Sequence, residues 1–231
     1  MIPWSGPDGY VVAFSTRRGG VSDGPFASLN LGRLTDDDPA NVEENRRRVC
    51  AAVGADADRL AMNRQVHGAT VNNARPGHRG AVGDGLWTDE PRLSMLIVTA
   101  DCLPIALACT TGRPGLALLH AGRIGLLEGI VSAGVAALGG RPAAVIGPGI
   151  GPCCYEVGDE IVEAYRGRFG AVVVHGRNLD LWTAAEHALR DAGVTSIERM
   201  DTCTACNARD FYSHRRDGRV TGRQGVIGYV A

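Results

Sequence analysis

Three short apolar segments in the middle of the chain restrict the folds that it can adopt. Residues 93–99, 105–109 and 116–120 read as buried strands, and the turn ADCLP separates the first two. After the third strand, apolar residues recur at helical spacing. Strands and helices are therefore mixed, but without a regular βαβ repeat. This pattern predicts an α/β protein built from mixed α+β layers.

The rest of the chain extends this layered pattern. We expect a strand over residues 10–16, a helix over 41–53 and a short strand over 143–146 that ends in the loop GPGIGP. One helix should carry the stripe of Ile124, Leu127, Val131, Val135 and Leu138. Two amphipathic helices follow, and Asp180 is a good N-cap for the second. No linker is visible, so residues 1–231 are predicted to form a single domain.

Composition excludes several classes of protein. Hydrophobic residues make up 45% of the 231 residues, charged residues 21%, and the net charge is −1, which favours neither nucleic acid nor an anionic membrane. No segment approaches the roughly 20 apolar residues of a membrane helix, and the N-terminus does not resemble a signal peptide. The seven cysteines are an odd number. We therefore expect a cytoplasmic protein with reduced thiols.

The most informative polar residues are His67, Cys102 and His120. Each lies where a predicted strand meets a turn that contains glycine or proline. Two imidazoles and a thiolate form a zinc ligand set that leaves a fourth position open. Because the three are far apart in the chain, tertiary structure must assemble them, as is typical of catalytic zinc. They could also be half-buried histidines and a core thiol, or Cys102 could be a nucleophile paired with a histidine.

Two aspartates lie in turns near these residues. Asp84 and Asp101 could each orient a ligand histidine or act as a general base. A turn aspartate more often caps the local backbone, so both interpretations stay open. The pair Cys203-x-x-Cys206 has no second pair nearby in the sequence, so we interpret these thiols as structural or incidental.

Arginines are concentrated in two segments. Arg17 precedes Arg18 and two glycines in a turn that could hold an anion. Arg215 belongs to the segment ARDFYSHRRD, where aromatic residues alternate with arginines and a planar ring could stack. This segment is too short for a nucleic-acid surface. Each arginine could equally be part of a solvated charged face.

Several motifs in fixed order carry a resemblance to a known family. They are FSTRRGGVS, SLN, NVEENRR, QVHG, TADCLP, HAG, IGPGIGPCCYEVG and FYSHRRDG. Together they resemble the YfiH-like family, also called the laccase-domain, multicopper polyphenol oxidase or purine nucleoside phosphorylase family. The resemblance extends from about residue 10 to the C-terminus. It implies a single-domain α/β/β/α sandwich, related to the catalytic domain of cytotoxic necrotizing factor.

The resemblance also implies a function and a set of site residues. The family's metal ligands fall on His67, Cys102 and His120. It implies a zinc-dependent enzyme that acts on adenosine, inosine and methylthioadenosine by phosphorolysis and that deaminates adenosine. Asp84 or Asp101 would then move protons in catalysis. The candidate substrate-binding residues are Arg17, Arg46, Gln65 and Arg215.

The resemblance leaves alternatives open. Family members are also described as copper polyphenol oxidases and as amidases that edit cell-wall nucleotide-peptide precursors. Multicopper chemistry needs about ten histidines, whereas this chain has six. A metal-free Cys-His hydrolase and a binding protein with a closed zinc site are two further alternatives. The oligomeric state is not predicted.

The chain departs from the family pattern beside His120. It reads HAGRIG where the family usually reads HAGWRG, so Arg123 stands in place of a tryptophan and Ile124 in place of an arginine. If the missing arginine binds phosphate, its absence weakens the case for phosphorolysis. Neighbouring helix residues point in different directions, so Arg123 is not expected to compensate fully. Asp84 is retained within GDGLWT.

Overall fold

Strands account for most of the regular structure. The computed structural model describes residues 1–231. Fourteen strands are present: β1 (Ile2–Pro3), β2 (Tyr10–Phe14), β3 (Ala61–Arg64), β4 (Val71–Asn73), β5 (Arg79–Val82), β6 (Gly85–Thr88), β7 (Met95–Thr99), β8 (Leu103–Cys109), β9 (Leu116–Ala121), β10 (Pro142–Ile146), β11 (Val174–His175), β12 (Asn178–Leu179), β13 (Ser196–Arg199) and β14 (Gln224–Val230).

Six α-helices accompany the strands: α1 (Pro39–Ala52), α2 (Arg123–Glu128), α3 (Ile130–Leu138), α4 (Asp159–Phe169), α5 (Leu181–Asp191) and α6 (His214–Asp217). The predicted N-cap of α5 is confirmed, because the Asp180 side chain accepts the backbone N–H of Thr183 at 3.0 Å. None of these helices has both the length and the apolar character needed to cross a membrane.

Two six-stranded mixed sheets form the centre of the molecule. The first has the order β1-β2-β14-β7-β3-β5, the second β13-β10-β8-β9-β6-β4, and β11 and β12 form a separate hairpin. An apolar cluster lies between the two sheets, with Phe14, Ile97 and Val226 from the first and Leu118 and Val145 from the second. The sheets therefore pack face to face.

Helices cover both outer faces. Val49 and Cys50 of α1 pack against Leu96 and Ile227 of the first sheet. On the other side, α2, α3, α4 and α5 join the second sheet in the largest apolar cluster. The layers are thus helix, sheet, sheet and helix, which confirms the predicted single-domain α/β/β/α sandwich.

Residue size alternates along β8, the central strand of the second sheet. Leu103, Ile105 and Leu107 face the helices, whereas Ala106 and Ala108 face the first sheet. Successive side chains of a strand point to opposite faces, so both faces of β8 are covered and every residue of it is buried. The prediction of a buried strand here is confirmed, and the small residues let the sheets approach each other.

One predicted element is wrong. The stripe from Ile124 to Leu138 is divided between α2 and α3, which meet at Gly129. Gly129 has φ = 91°, in the left-handed region that glycine adopts without steric strain. The apolar spacing continues across this break, which is why the pattern indicated one continuous helix.

Candidate metal centre and active site

His67, Cys102 and His120 meet at one end of the sandwich. His67 follows β3 of the first sheet, Cys102 lies in the turn from β7 to β8, and His120 is near the end of β9 in the second sheet. Their potential ligand atoms all lie within 4.8 Å of one another. The two imidazole rings are 4.8 Å apart between centroids and meet edge to face at 69°. The structure therefore brings together the three side chains that the sequence singled out.

The backbone at this site is strained at two positions. His67 has φ = 67° and Asp101, the neighbour of Cys102, has φ = 88°. Residues other than glycine adopt such values rarely, and they persist where the surroundings over-determine the conformation. Close packing is visible at Gly122, where an added Cβ would lie 2.9 Å from Cys102 Sγ and 3.3 Å from His67 Cδ2. A glycine at this position leaves room for the sulfur.

Asp84 holds the loop that carries His67. This aspartate is fully buried, and its carboxylate accepts the backbone N–H groups of Val66, His67 and Gly68 at 3.0, 2.9 and 2.9 Å. The same carboxylate lies 2.7 Å from Nδ1 of His120. A carboxylate at Nδ1 fixes the orientation of a histidine and leaves Nε2 for a metal. The geometry therefore supports the orienting role of Asp84 more than direct contact with substrate.

The ionisation of these groups follows from their contacts. Burial alone would raise the pKa of the Cys102 thiol, but the charges of His120 and His67 and hydrogen bonds to both lower it to about 6. Burial alone would lower the pKa of His120, but Cys102 and Asp84 raise it to about 9. Burial also opposes ionisation of Asp84, yet its hydrogen bonds to His120 and the loop amides lower its pKa. Cys102 is therefore a thiolate at neutral pH.

Asp101 has a different environment. It is 7% exposed and borders the cavity beside Cys102. One carboxylate oxygen accepts the Thr204 hydroxyl at 2.6 Å, and the other accepts the backbone N–H of Arg215 at 2.7 Å. An ionised carboxylate has about four acceptor positions, so Asp101 keeps the capacity to contact a ligand.

The three candidate ligands open into a cavity of about 680 Å³, within the size range of small-molecule sites. Its lining is strongly basic. The lining guanidinium groups are those of Arg33, Arg46, Arg64, Arg123, Arg215 and Arg223, whereas Asp101 is the sole lining carboxylate. The guanidinium groups of Arg33, Arg64 and Arg123 form no ion pair or hydrogen bond within the chain. The cavity is therefore suited to an anionic ligand.

The predicted substrate-binding residues have different positions. Arg46, Gln65 and Arg215 all border the cavity. The Arg46 guanidinium donates to Leu31 O at 2.9 and 3.1 Å and pairs with Glu43, so it is largely committed to the protein. The Gln65 side chain pairs with the backbone of Val98 through both of its polar atoms. Both residues shape the cavity wall.

Arg17 lies outside the cavity lining. Its guanidinium donates to the carbonyls of Ala27 and Ala208 at 2.8 and 3.1 Å, and it stacks 4.6 Å from the centre of the Tyr212 ring. These contacts join separate loops, so Arg17 supports the site from a distance.

Several cavity residues were not predicted from the sequence. Arg33, Arg64 and Arg223 come from three separate segments, and Tyr155 lies within IGPGIGPCCYEVG. No local signal distinguishes these arginines from surface arginines. Arg123 and Ile124, the two residues that depart from the family pattern, both border the cavity, so the substitution retains one cation there.

Thr99 is a further residue that was not singled out. It is 2% exposed, and its hydroxyl has no hydrogen-bond partner in the protein. Thr99 also borders the cavity. Buried hydroxyl groups are normally paired, so this one is available to a ligand.

Comparisons with known proteins find relatives over most of the chain. The family model described as "Multi-copper polyphenol oxidoreductase laccase" matches residues 11–230. A Pseudomonas aeruginosa protein named purine nucleoside phosphorylase is 40% identical over 95% of this chain and 93% of its own. The Escherichia coli protein named purine nucleoside phosphorylase YfiH is 36% identical, over 96% and 95% of the two chains.

Solved structures show the same architecture. YlmD from Geobacillus stearothermophilus superposes with a TM-score of 0.89 at 33% identity, over 96% of this chain and 92% of its own. The Neisseria meningitidis protein NMB0706 gives a TM-score of 0.90 at 30% identity, over 98% and 96%. From the match over residues 11–230 and these relatives, the chain belongs to the YfiH-like family, whose model is described as multi-copper polyphenol oxidoreductase laccase.

Proposed function

We propose that this protein is a zinc-dependent purine nucleoside phosphorylase. The reaction converts adenosine, inosine or methylthioadenosine and phosphate into the free base and a ribose 1-phosphate. The names of the relatives support a purine nucleoside and phosphate as substrates. The observation that carries the proposal is a His-Cys-His cluster in a cavity where three guanidinium groups have no partner in the protein.

The cluster fits a zinc ion. Cys102 is ionised at neutral pH, and Asp84 orients His120 so that Nε2 is free for coordination. Three ligand atoms of one tetrahedral zinc ion lie about 3.5 Å apart. The potential ligand atoms of the cluster already lie within 4.8 Å of one another, so small side-chain shifts suffice to bind the ion. Bound there, zinc would supply a Lewis acid at a coordination position that faces the cavity.

Different residues of the cavity bind different parts of the two substrates. Arg33, Arg64 and Arg123 bind and position phosphate through charge-assisted hydrogen bonds. Thr99 donates its free hydroxyl to the nucleoside, and Asp101 accepts a ribose hydroxyl. Arg215 stacks 5.2 Å from the ring centre of Tyr155, which places a planar aromatic surface near the base. Arg46 and Gln65 form the wall behind them.

We propose adenosine deamination as a second reaction of the same site. Water replaces phosphate as the nucleophile, and adenosine and water give inosine and ammonia. Asp101 is the candidate proton carrier, because it borders the cavity, whereas Asp84 is committed to His120 and three backbone amides. We place the enzyme in the cytoplasm, a proposal supported by seven cysteines that are all free.

A metal-free thiol hydrolase is the second candidate, and a specific observation favours it. The pKa of Cys102 is lowered to about 6 and that of His120 is raised to about 9, as in a thiolate–imidazolium pair. Copper-dependent phenol oxidation is less well supported. Multicopper sites depend on many histidines, and the two clusters of potential metal ligands contain only His67 and His120.

One experiment separates these functions. Purified protein is analysed for metals and then incubated with adenosine, inosine or methylthioadenosine, with and without phosphate, and the products are resolved by chromatography. We expect zinc, phosphate-dependent release of the base and inosine from adenosine, with all turnover lost in Cys102→Ala. Turnover that survives chelation but not alkylation would support the thiol hydrolase. Stoichiometric copper with phenol oxidation, or no nucleoside turnover above the Cys102→Ala level, would overturn the proposal.

A further inference from the structure

A second cluster of thiols lies outside the His-Cys-His site. Cys153 and Cys154 follow β10, and Cys203 and Cys206 follow β13. Their sulfur atoms all lie within 4.8 Å of one another. The Sγ atom of Cys206 is 3.5 Å from that of Cys153 and 3.4 Å from that of Cys154. The sequence indicated no partner pair for Cys203-x-x-Cys206, but the fold supplies one from a segment about fifty residues earlier.

The backbone holds these two segments together without help from the sulfurs. Strands β10 and β13 pair in parallel, and the contact continues beyond them as a bridge between Gly149 and Cys203. Thr204 N–H donates to the Gly149 carbonyl at 3.1 Å, and Gly149 N–H donates to the Thr202 carbonyl at 3.2 Å. The four thiols therefore meet at the same end of two adjacent parallel strands, on a framework that is already fixed.

The spacing of the sulfurs is that of metal ligands. A disulfide requires about 2.05 Å between sulfurs, whereas tetrahedral zinc–thiolate bonds of about 2.3 Å place the sulfurs about 3.8 Å apart. The two measured separations at Cys206 Sγ, 3.5 and 3.4 Å, are far from the disulfide value and close to the zinc–thiolate value, and all four sulfurs lie within 4.8 Å of one another. The backbone N–H of Gly151 also donates to Cys203 Sγ at 3.3 Å, a contact that stabilises a thiolate.

We propose that Cys153, Cys154, Cys203 and Cys206 bind a second zinc ion through four thiolates. Four protein ligands close the coordination sphere, so this site is structural. Cys203 is buried, whereas Cys153 and Cys206 are exposed, so the ion can enter from solvent without unfolding of the domain. The inference does not depend on the nucleoside reaction.

The second zinc ion would stabilise one wall of the substrate cavity. Tyr155 is adjacent to Cys154, and the Arg215 guanidinium donates to the carbonyls of Cys154 and Glu156 at 3.4 and 2.8 Å. On the other segment, Thr204 donates its hydroxyl to Asp101. Loss of the ion should therefore loosen three cavity residues at once while the His-Cys-His cluster keeps its own ligands.

Metal content tests the proposal directly. Protein prepared under reducing conditions is measured for zinc per chain, as wild type and as the double variant Cys153→Ser/Cys206→Ser, which replaces the two exposed thiols. Cys102→Ala removes a ligand of the other site, and Cys109→Ala removes a buried thiol that belongs to neither. We expect two zinc ions per chain in wild type and Cys109→Ala, and one in each of the other variants.

Cobalt substitution identifies the ligands. Cobalt bound by four thiolates has strong sulfur-to-metal charge-transfer absorption, which should be retained in Cys102→Ala and lost in the double variant. The cobalt spectrum of Cys102→Ala reports on the four-thiol site even if the protein has no nucleoside activity. One zinc per chain in wild type and none in Cys102→Ala would overturn the proposal, as would a persistent disulfide within the cluster under reducing conditions.

Discussion

One carboxylate oxygen of Asp84, Oδ1, lies 2.7 Å from Nδ1 of His120 and also accepts the backbone N–H of His67 at 2.9 Å. A single buried atom therefore positions both histidines of the cluster, one through its ring and the other through its backbone. Since His67 is exposed and carried by a loop, its position depends on this contact more than on packing.

Replacement of Asp84 by asparagine should weaken metal binding strongly. The neutral amide of asparagine lacks the negative charge with which Asp84 orients His120 and accepts the hydrogen bonds of the loop N–H groups. Loss of such a contact to a metal ligand typically lowers metal affinity about 10–100-fold. Zinc titration against a competing chelator measures the change. Asp89→Asn is the matched control, because Asp89 pairs with exposed Arg113 at the surface. Equal affinities in the two variants would contradict the role assigned to Asp84.

Alkylation of Cys102 in metal-free protein should depend on pH with a midpoint near pH 6. Its pKa is lowered to about 6, so the reactive thiolate already predominates at neutral pH and is lost as the pH falls through that value. The rate of iodoacetamide labelling, followed by mass spectrometry of the Cys102 peptide, gives the midpoint. In His120→Gln the midpoint should rise toward the ordinary value of about 8.5. An unchanged midpoint in that variant would refute the pairing of thiolate and imidazolium.

Gly122→Ala should disturb the metal centre and leave the fold intact. Gly122 has φ = −82°, which alanine adopts readily, so the cost comes from the added Cβ lying 2.9 Å from Cys102 Sγ. We expect at least a tenfold loss of zinc affinity with a normal circular dichroism spectrum. Gly167→Ala in α4 is the control, because no atom lies within 4 Å of its Cβ. That variant should gain about 0.5–1 kcal/mol of stability.

Removal of a cavity arginine should raise the KM for phosphate. Arg64 and Arg123 border the cavity without partners in the protein, and a hydrogen bond between charged groups contributes about 1.5–3 kcal/mol. Each alanine variant should therefore show about a 10–100-fold increase in KM, with zinc content unchanged. Arg113→Ala, at an exposed surface ion pair, should behave as wild type. Phosphate kinetics that are unaffected in both cavity variants would exclude this phosphate site.

Thr99→Val should raise stability and lower activity. The Thr99 hydroxyl is buried and unpaired, so its replacement by a methyl group removes an unfavourable polar atom, with a gain of about 1 kcal/mol. Thr88 is also buried, but its hydroxyl accepts the Glu90 backbone N–H at 3.1 Å. Thr88→Val should therefore lower the stability by about 1 kcal/mol. Thermal unfolding measures both effects. If Thr99→Val is destabilised as Thr88→Val is, the hydroxyl has a partner and is not available to a ligand.

The mixture of strands and helices and the three candidate metal ligands could be predicted from the sequence because both leave local signals, whereas the α/β/β/α order of the layers followed only from the family resemblance. The apolar runs of β7, β8 and β9 identify buried strands, and His67, Cys102 and His120 lie beside them at turns. The break at Gly129 was not predicted, because the apolar spacing of α2 continues into α3. The sequence left the orienting role of Asp84 open as one of several alternatives, because the residues that Asp84 contacts come from two other segments.

Features that depend on strand order left no such signal. Strand β14 inserts between β2 and β7, and it follows directly on Arg223, whose backbone N–H donates to Asn30 Oδ1 at 2.8 Å. That contact joins residues nearly two hundred positions apart. The cavity arginines and the pairing of Cys153 and Cys154 with Cys203 and Cys206 arise in the same way. Sequence spacing does not predict these contacts between distant segments, because they result from the order of the strands in the sheets.

The three candidate ligands are divided between the two sheets: His67 follows a strand of the first, His120 belongs to the second, and Cys102 lies in the turn that connects them. A slip of one sheet over the other by even a fraction of a side chain would pull the imidazoles apart. Catalytic turnover would thus depend on the relative position of the two sheets. It should decrease in mild denaturant before unfolding is detected by spectroscopy.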